Sequence, residues 1–117
     1  KEVAIDFIKN NTKADGIITT KATLIKRAKE LSMYTVLRCF LLDSMALENI
    51  KHPQSGVKPD FLEVLPGVMP KIIRKISHIT RIPIIAGGLI ADKEDEMNAL
   101  DAGAMAVSTT NKDVWVM

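Results

Sequence analysis

The sequence predicts an α/β protein with a parallel sheet, in a TIM-type (β/α)8 barrel. Five apolar runs alternate with amphipathic segments of helical period, and no hairpin signal joins two neighbouring runs. The runs are continuously apolar, which favours strands buried on both faces and joined by right-handed βαβ units. The last two runs, 82–86 and 105–108, lead into a Gly-Gly and a Ser-Thr-Thr sequence. Loops after the last two strands form the usual phosphate site of such barrels.

Composition is typical of one globular domain, which we expect to cover residues 1–117. Apolar residues make up 47% of the 117 residues, and the net charge is only +2, which excludes a polycation or a disordered tail. The single cysteine, Cys39, cannot form an internal disulfide and is expected to be a buried, reduced thiol. No signal peptide and no membrane-spanning apolar run is present, so we expect a cytoplasmic protein with no membrane partner.

The first half of the chain predicts two helix–strand units. The first helix fades at residues 10–11 and is expected to bury Val3, Ala4, Phe7 and Ile8. The second helix is expected to bury Leu24, Ile25, Ala28 and Leu31. The strands that follow these helices are predicted at 15–19 and 35–41.

The second half continues the alternation with clear helix boundaries. Asp43 or Ser44 is expected to cap a third helix, and Pro70 suits the first turn of a fourth. Asp92 is expected to cap a fifth helix, with Asp95 as its capping-box partner. Met97 and Leu100 are expected to point inward from this helix, Gly103 to end it, and Trp115 to pack near the end of the chain. The strands are predicted at 60–65, 82–86 and 105–108.

Two charged residues, Arg38 and Glu63, interrupt otherwise apolar strands that we expect to be adjacent. A buried charge is costly unless it is paired or bound to a ligand. One interpretation is that the two residues pair with each other, or that one lies in water at a strand end. The other is that both point into the barrel near its C-terminal rim, where Arg38 binds phosphate and Glu63 accepts hydrogen bonds from substrate hydroxyls. The two interpretations are compatible.

The loops after the last two strands predict an anion site. Gly87 and Gly88 permit a close backbone approach, and Ser108 and Thr109 supply hydroxyl and N–H groups at the start of an expected short helix. A plain turn at the glycines is the alternative. Lys21, at the end of the first strand, either reaches the same rim or is a solvated residue at a helix start.

Other motifs are weak. No spacing of ligand residues indicates a metal site, and neither a Ser-His-Asp order nor a nucleophile elbow is evident. Basic residues on the helix surfaces are typical of faces exposed to solvent; the alternative is that they form a weak surface patch that binds nucleic acid. They are Lys26, Arg27, Lys29, Lys71, Arg74 and Lys75.

The chain closely resembles the glycerol-3-phosphate-responsive antiterminators of bacterial glycerol-uptake operons. The segments that carry the resemblance are 15–21 (DGIITTK), 40–48 (FLLDSMALE), 58–71 (KPDFLEVLPGVMPK), 84–90 (IIAGGLI) and 106–112 (AVSTTNK). The LPGVMP run is specific to the family, whereas AGGLI also occurs in other phosphate-binding barrels.

The resemblance implies a compact (β/α)8 barrel that binds glycerol 3-phosphate and acts on the leader mRNA of glycerol genes, so that transcription passes a terminator. It implies no cofactor. By analogy Gly87, Gly88, Ser108 and Thr109 would hold the phosphate, with Arg38, Glu63 and Lys21 near the glycerol part. The first three strands of the family's barrel are absent from the 117 residues, leaving the C-terminal five βα units, so we expect the natural protein to be longer at its N-terminus.

A non-enzymatic regulator is therefore the leading hypothesis. The rival is an enzyme on the same scaffold, such as an isomerase, synthase or phosphodiesterase with a phosphorylated substrate, because the fold alone does not choose between them. A metabolite-binding module that acts through protein partners is a third possibility.

Overall fold

The computed structural model describes residues 2–53, 56 and 58–110. Helices and strands alternate through this part of the chain, as the apolar periodicity predicts. The helices are α1 Glu2–Asn11, α2 Ala22–Glu30, α3 Ser44–Lys51, α4 Pro70–Ile79 and α5 Lys93–Asp101. The strands are β1 Gly16–Thr19, β2 Tyr34–Phe40, β3 Phe61–Leu65, β4 Ile84–Gly87 and β5 Ala106–Ser108. The expected packing of Trp115 lies outside the described residues.

The strands form one parallel sheet in the order β1-β2-β3-β4-β5, so each strand pairs with the next one along the chain. Because every crossover steps in the same direction and parallel crossovers are right-handed, the connecting helices all lie on one face of the sheet. This singly wound arrangement is that of a TIM-type barrel wall, and the predicted fold class is confirmed.

The core lies between the sheet and its helices. From the sheet, alternate residues of β3 and β4 enter it, and α4 covers them with two fully buried isoleucines. The main cluster comprises Ile50, Leu62, Val64, Ile73, Ile76, Ile84, Ala86, Ala99, Ala102 and Ala104. A second cluster joins α1 and α2 to β1 through Ile5, Ile17, Ala28 and Met33.

The other face of the sheet is not covered by any described residues. Ile18 in β1 remains 57% exposed, and Phe40 at the end of β2 remains 49% exposed. The expectation that both faces are buried is therefore wrong for the described part of the chain. In a closed barrel this face lines the interior, which explains why its residues are apolar.

The predicted helix boundaries are confirmed by their caps. The carboxylate of Asp43 accepts a hydrogen bond from the N–H of Ala46 at 3.2 Å and caps α3. At α5, Asp92 accepts from the N–H of Asp95 at 2.8 Å, while Asp95 accepts from Ala91, one residue before the cap. Gly103, which follows the C-cap of α5, has a φ of +119° and supports the expected end of that helix.

Two predicted helix faces are wrong. In α1, Val3 and Phe7 are exposed, and Ile5 is the buried residue. In α5, Met97 and Leu100 are partly exposed. The small residues Ala99 and Ala102 pack against the sheet instead, which lets the helix axis approach closely. Helix rotation is decided by such tertiary packing, which a count of large apolar residues does not capture.

Candidate anion site at the C-terminal rim of the sheet

All five parallel strands end at one edge of the sheet, here called the rim, and the residues predicted for the site lie there. Arg38 and Glu63 each lie two residues before the end of their strands, β2 and β3. Gly87 ends β4 and Ser108 ends β5. Four neighbouring strands thus contribute to one continuous surface, as a barrel ligand site requires.

Arg38 and Glu63 form an ion pair across this surface. They are direct partners in the β2–β3 ladder, and Arg38 Nε donates to Glu63 Oε1 at 2.6 Å. The neighbours of Arg38 in β2, Leu37 and Cys39, pack toward the helices, so the strand's alternation directs Arg38 to the uncovered face. The Glu63 side chain is 5% exposed and that of Arg38 is 38% exposed. The carboxylate is therefore buried, while the guanidinium reaches water.

Gly87 lies against this ion pair. A Cβ atom at Gly87 would stand 2.9 Å from Glu63 Oε2, so any larger residue would displace the carboxylate. Gly87 is also the direct ladder partner of Ser108. Arg38 and Glu63 thus share one row of the sheet, which continues through Ile85 and Ala106. Gly87 and Ser108 form a pair two residues further toward the rim on the same face, and Gly87 lies against the Glu63 carboxylate.

The loop after β4 has an unusual backbone. Gly88 has a φ of +75° and Leu89 a φ of +61°. The left-handed region costs a leucine about 1–2 kcal/mol, and this leucine gains little from packing because 75% of it is exposed. Two consecutive residues of positive φ turn the chain tightly, and backbone turns are one place where successive N–H groups bind anions. Leu89 was not predicted, because leucine carries no sequence signal for a positive φ.

Gly67 supports the glycine loop from the neighbouring strand. Its N–H donates to the carbonyl oxygens of Gly87 at 2.5 Å and Gly88 at 3.2 Å. A Cβ at Gly67 would stand 2.8 Å from the carbonyl carbon of Ala86. A Pro-Gly pair such as Pro66-Gly67 is typical of a turn, but the contact of this turn with the glycine loop depends on tertiary structure.

The end of β5 is tied to the same loop. Thr109 Oγ1 donates to the carbonyl oxygen of Ile90 at 2.8 Å, so the hydroxyl joins the segment after β4 to the segment after β5. Ser108 is exposed at the rim. The short helix expected to start at these residues does not begin by Thr110, because Ser108 ends β5 and the next two residues are not helical; residues 111–117 lie outside the described part of the chain.

Lys21 stands apart from the other predicted residues. It occupies the N-cap position of α2, where its N–H donates to Thr19 Oγ1 at 3.1 Å, and its side chain is exposed. It lies at the same rim, but β2 and β3 separate its strand from β4. The structure therefore does not bring Lys21 next to the glycine loop.

The remaining chemistry of the described residues is sparse. Burial raises the pKa of the Cys39 thiol to about 11, so this thiol is protonated at neutral pH. Within residues 2–53, 56 and 58–110, no group of three or more His, Cys, Asp or Glu side chains could hold a metal ion. Across the same residues, no helix is both long and apolar enough to cross a membrane.

Comparison with known proteins identifies relatives along the whole chain. A family model described as "Glycerol-3-phosphate responsive antiterminator" matches residues 1–115. The chain is 45% identical over 117 residues to the uncharacterized protein YgcP of Escherichia coli (strain K12). This match covers 100% of the chain and 61% of YgcP.

Solved structures agree with this relationship. The glycerol uptake operon antiterminator regulatory protein of Listeria monocytogenes is 38% identical with a TM-score of 0.92, over 99% of this chain and 63% of that one. A glycerol uptake operon antiterminator-related protein of Thermotoga maritima is also 38% identical, with a TM-score of 0.79, over 100% of this chain and 66% of that one.

A more distant match concerns the fold alone. Orotidine 5'-phosphate decarboxylase of Pyrococcus horikoshii has a TM-score of 0.73 at 18% identity, over 99% of this chain and 62% of that one. The chain thus spans 61–66% of the length of these proteins.

Proposed function

Because the chain belongs to the glycerol-3-phosphate responsive antiterminator family, we propose that it is a regulator that binds glycerol 3-phosphate at the rim. In the liganded state it acts on the leader mRNA of glycerol-uptake genes, so that transcription continues past a terminator. The observation that carries the ligand assignment is the glycine loop, with its left-handed Gly88 and Leu89, beside the end of β5. Main-chain N–H groups of Gly87, Gly88, Ser108 and Thr109 suit the phosphate dianion.

The ion pair supplies the second half of the proposed site. In the structure Arg38 and Glu63 pair at 2.6 Å. A phosphate that enters beside Gly87 gives the guanidinium a second oxyanion partner, because Arg presents several donors in one plane. Glu63 then accepts hydrogen bonds from the glycerol hydroxyls. Lys21 contributes from the β1 side of the rim to the overall positive potential.

We also propose that the uncovered face of the sheet is the interior of a barrel completed by further βα units, within a single domain. The supporting observations are the apolar residues exposed there, Ile18 and Phe40 among them, and the barrel-wall topology. Intact mass spectrometry of the protein from its native source should give a mass well above 12.9 kDa, and a mass of 12.9 kDa would contradict this proposal.

Thermal unfolding tests the ligand. We expect glycerol 3-phosphate to raise the melting temperature and glycerol to leave it unchanged, because the phosphate contacts dominate. A ligand at a hundred times its Kd adds about 2.7 kcal/mol to the free energy of unfolding. Equal shifts with the two compounds would exclude the anion site.

A matched pair of glycine variants locates the site. Gly88→Asp adds a negative charge to the glycine loop, with its Cβ 3.2 Å from Leu65 Cδ2, and should abolish the shift by charge repulsion. Gly56→Asp is the control, since Gly56 also has a positive φ, +68° against +75°, and a Cβ there meets open space. We expect Gly56→Asp to retain the response to glycerol 3-phosphate. An unchanged response in Gly88→Asp would exclude the glycine loop.

A gel shift tests the regulatory part of the proposal. The probe is the leader mRNA of a glycerol operon from the source organism, with and without glycerol 3-phosphate. We expect the ligand to increase binding. Absence of binding in both states would favour the rival, an enzyme that acts on a small phosphorylated substrate.

A further inference from the structure

The exposed face of α4 carries only basic side chains and one histidine. Lys71, Arg74, Lys75 and His78 are exposed at the spacing i, i+3, i+4 and i+7, which places them on one side of the helix. The opposite side of the helix is buried through Ile73 and Ile76. We call these four residues the α4 stripe.

Among the residues that the structure describes, two of the three basic residues of α2 are ion-paired, whereas no basic residue of the α4 stripe is. In α2, Arg27 pairs with Asp6 at 2.7 Å and with Glu30 at 3.0 Å, and Lys29 pairs with Asp60 at 3.6 Å. Helix α5 has four acidic residues and one basic residue.

By contrast, α4 has three basic residues and no acidic one. In the described part of the chain, none of these three forms an ion pair. Within the α4 stripe the three cationic side chains are therefore available to a partner, whereas His78 Nδ1 lies 2.6 Å from the Arg74 carbonyl oxygen.

We propose that the α4 stripe is the surface that contacts the phosphates of the leader RNA, an inference that rests on the proposed regulatory function. From Lys71 to His78 the stripe spans about 10 Å at 1.5 Å per helical residue, enough to face more than one phosphate of an RNA strand, and the exposed Arg81 follows the helix end. A protein partner fits less well, because the stripe has no fully exposed apolar or aromatic residue to serve as an interface anchor.

The position of α4 also suits a ligand-dependent contact. Gly67, hydrogen-bonded to Gly87 and Gly88, lies two residues before Met69, the N-cap residue of α4. The carbonyl of Met69 accepts the first two hydrogen bonds of the helix, from Ile72 and Ile73. A ligand that reorders the glycine loop therefore acts on the segment that sets the start of the α4 stripe.

The test removes the three charges of the α4 stripe in the complete product of the gene. We expect Lys71→Gln/Arg74→Gln/Lys75→Gln to lower the affinity for the leader RNA about tenfold or more. The slope of log affinity against log salt concentration should also fall by about 2, at ~0.7–0.9 per lost phosphate contact. The thermal shift with glycerol 3-phosphate should persist, which reports a folded site.

A charge-matched control separates this surface from general attraction. Lys9→Gln/Lys13→Gln/Lys26→Gln removes three exposed charges from the α1–α2 side and should leave RNA affinity within about twofold of wild type. Equal losses in the two triple variants would overturn the proposal. Unchanged RNA binding in the α4 variant would also overturn it and would assign the stripe to an acidic protein. A wild type that binds no RNA would instead refute the regulatory function itself.

Discussion

Removal of the Arg38 guanidinium should destabilise the protein mainly through the carboxylate that it leaves behind. In Arg38→Met, the stem of the side chain remains and the charged head is lost. Exposed ion pairs contribute about 0–1 kcal/mol, whereas an uncompensated charge in a fully buried pair costs about 3–5 kcal/mol. Glu63 is 5% exposed and Arg38 is 38% exposed, so water replaces only part of the lost interaction. We therefore expect a loss of about 2 kcal/mol in the free energy of unfolding.

The control variant neutralises both partners. Arg38→Met/Glu63→Gln leaves no buried charge, so it should be more stable than Arg38→Met alone, although one more native group has been removed. Urea denaturation at neutral pH measures both differences, with wild type and Glu63→Gln completing the cycle. The reasoning is refuted if Arg38→Met unfolds within about 0.5 kcal/mol of wild type, or if the double variant is as unstable as the single one.

Three further changes probe other parts of the chain. Gly87→Ala places a Cβ 2.9 Å from Glu63 Oε2 and should cost about 1–3 kcal/mol in urea denaturation, with a smaller shift from glycerol 3-phosphate; wild-type stability would contradict the contact. Burial raises the pKa of Cys39 to about 11, so alkylation followed by mass spectrometry should be far slower in the folded than in the unfolded protein, and should accelerate with pH up to that value. Burial acts to raise the pKa of Asp60, but hydrogen bonds from Thr35 and the charge of Lys29 lower it overall. The stability that Asp60 adds is thus fully present above the pKa of Asp60 in the unfolded protein, and it is lost as the pH falls through the lower pKa of Asp60 in the folded protein. Below about pH 4, Asp60→Asn should therefore lose less stability on acidification than wild type does.

The sequence alone predicted the alternation of elements because each apolar run and each cap is a local signal. Asp43 and Asp92 cap helices through their own side chains, and Pro70 begins α4 with no need of a distant partner. The pairing of Arg38 with Glu63 was one of two open interpretations. It followed from strand order, since two charges in adjacent parallel strands need only the correct register to meet.

Tertiary features could not be predicted from the sequence. Whether Met97 or Ala99 faces the sheet depends on how closely α5 approaches its neighbours, and apolar spacing fits both rotations. The left-handed Leu89 and the role of Gly67 depend on contacts between loops that lie far apart along the chain. These positions lie at the rim, where the backbone departs from local preference.

The contacts of β3 and β4 connect the proposed anion site with the proposed RNA-binding surface. Glu63 from β3 reaches under Gly87 of β4, and Gly67, beyond the end of β3, binds the carbonyls of the same glycine loop. The segment between them leads into α4, whose buried isoleucines pack on these two strands and whose outer face is the basic stripe. An anion bound by the loop, as proposed, would therefore act on a unit in which strand pair, turn and helix are packed and hydrogen-bonded together. Coupling between the loop and α4 needs no chain of contacts outside this unit. A ligand shifts the equilibrium between two arrangements of one packed element when it binds one arrangement more tightly than the other.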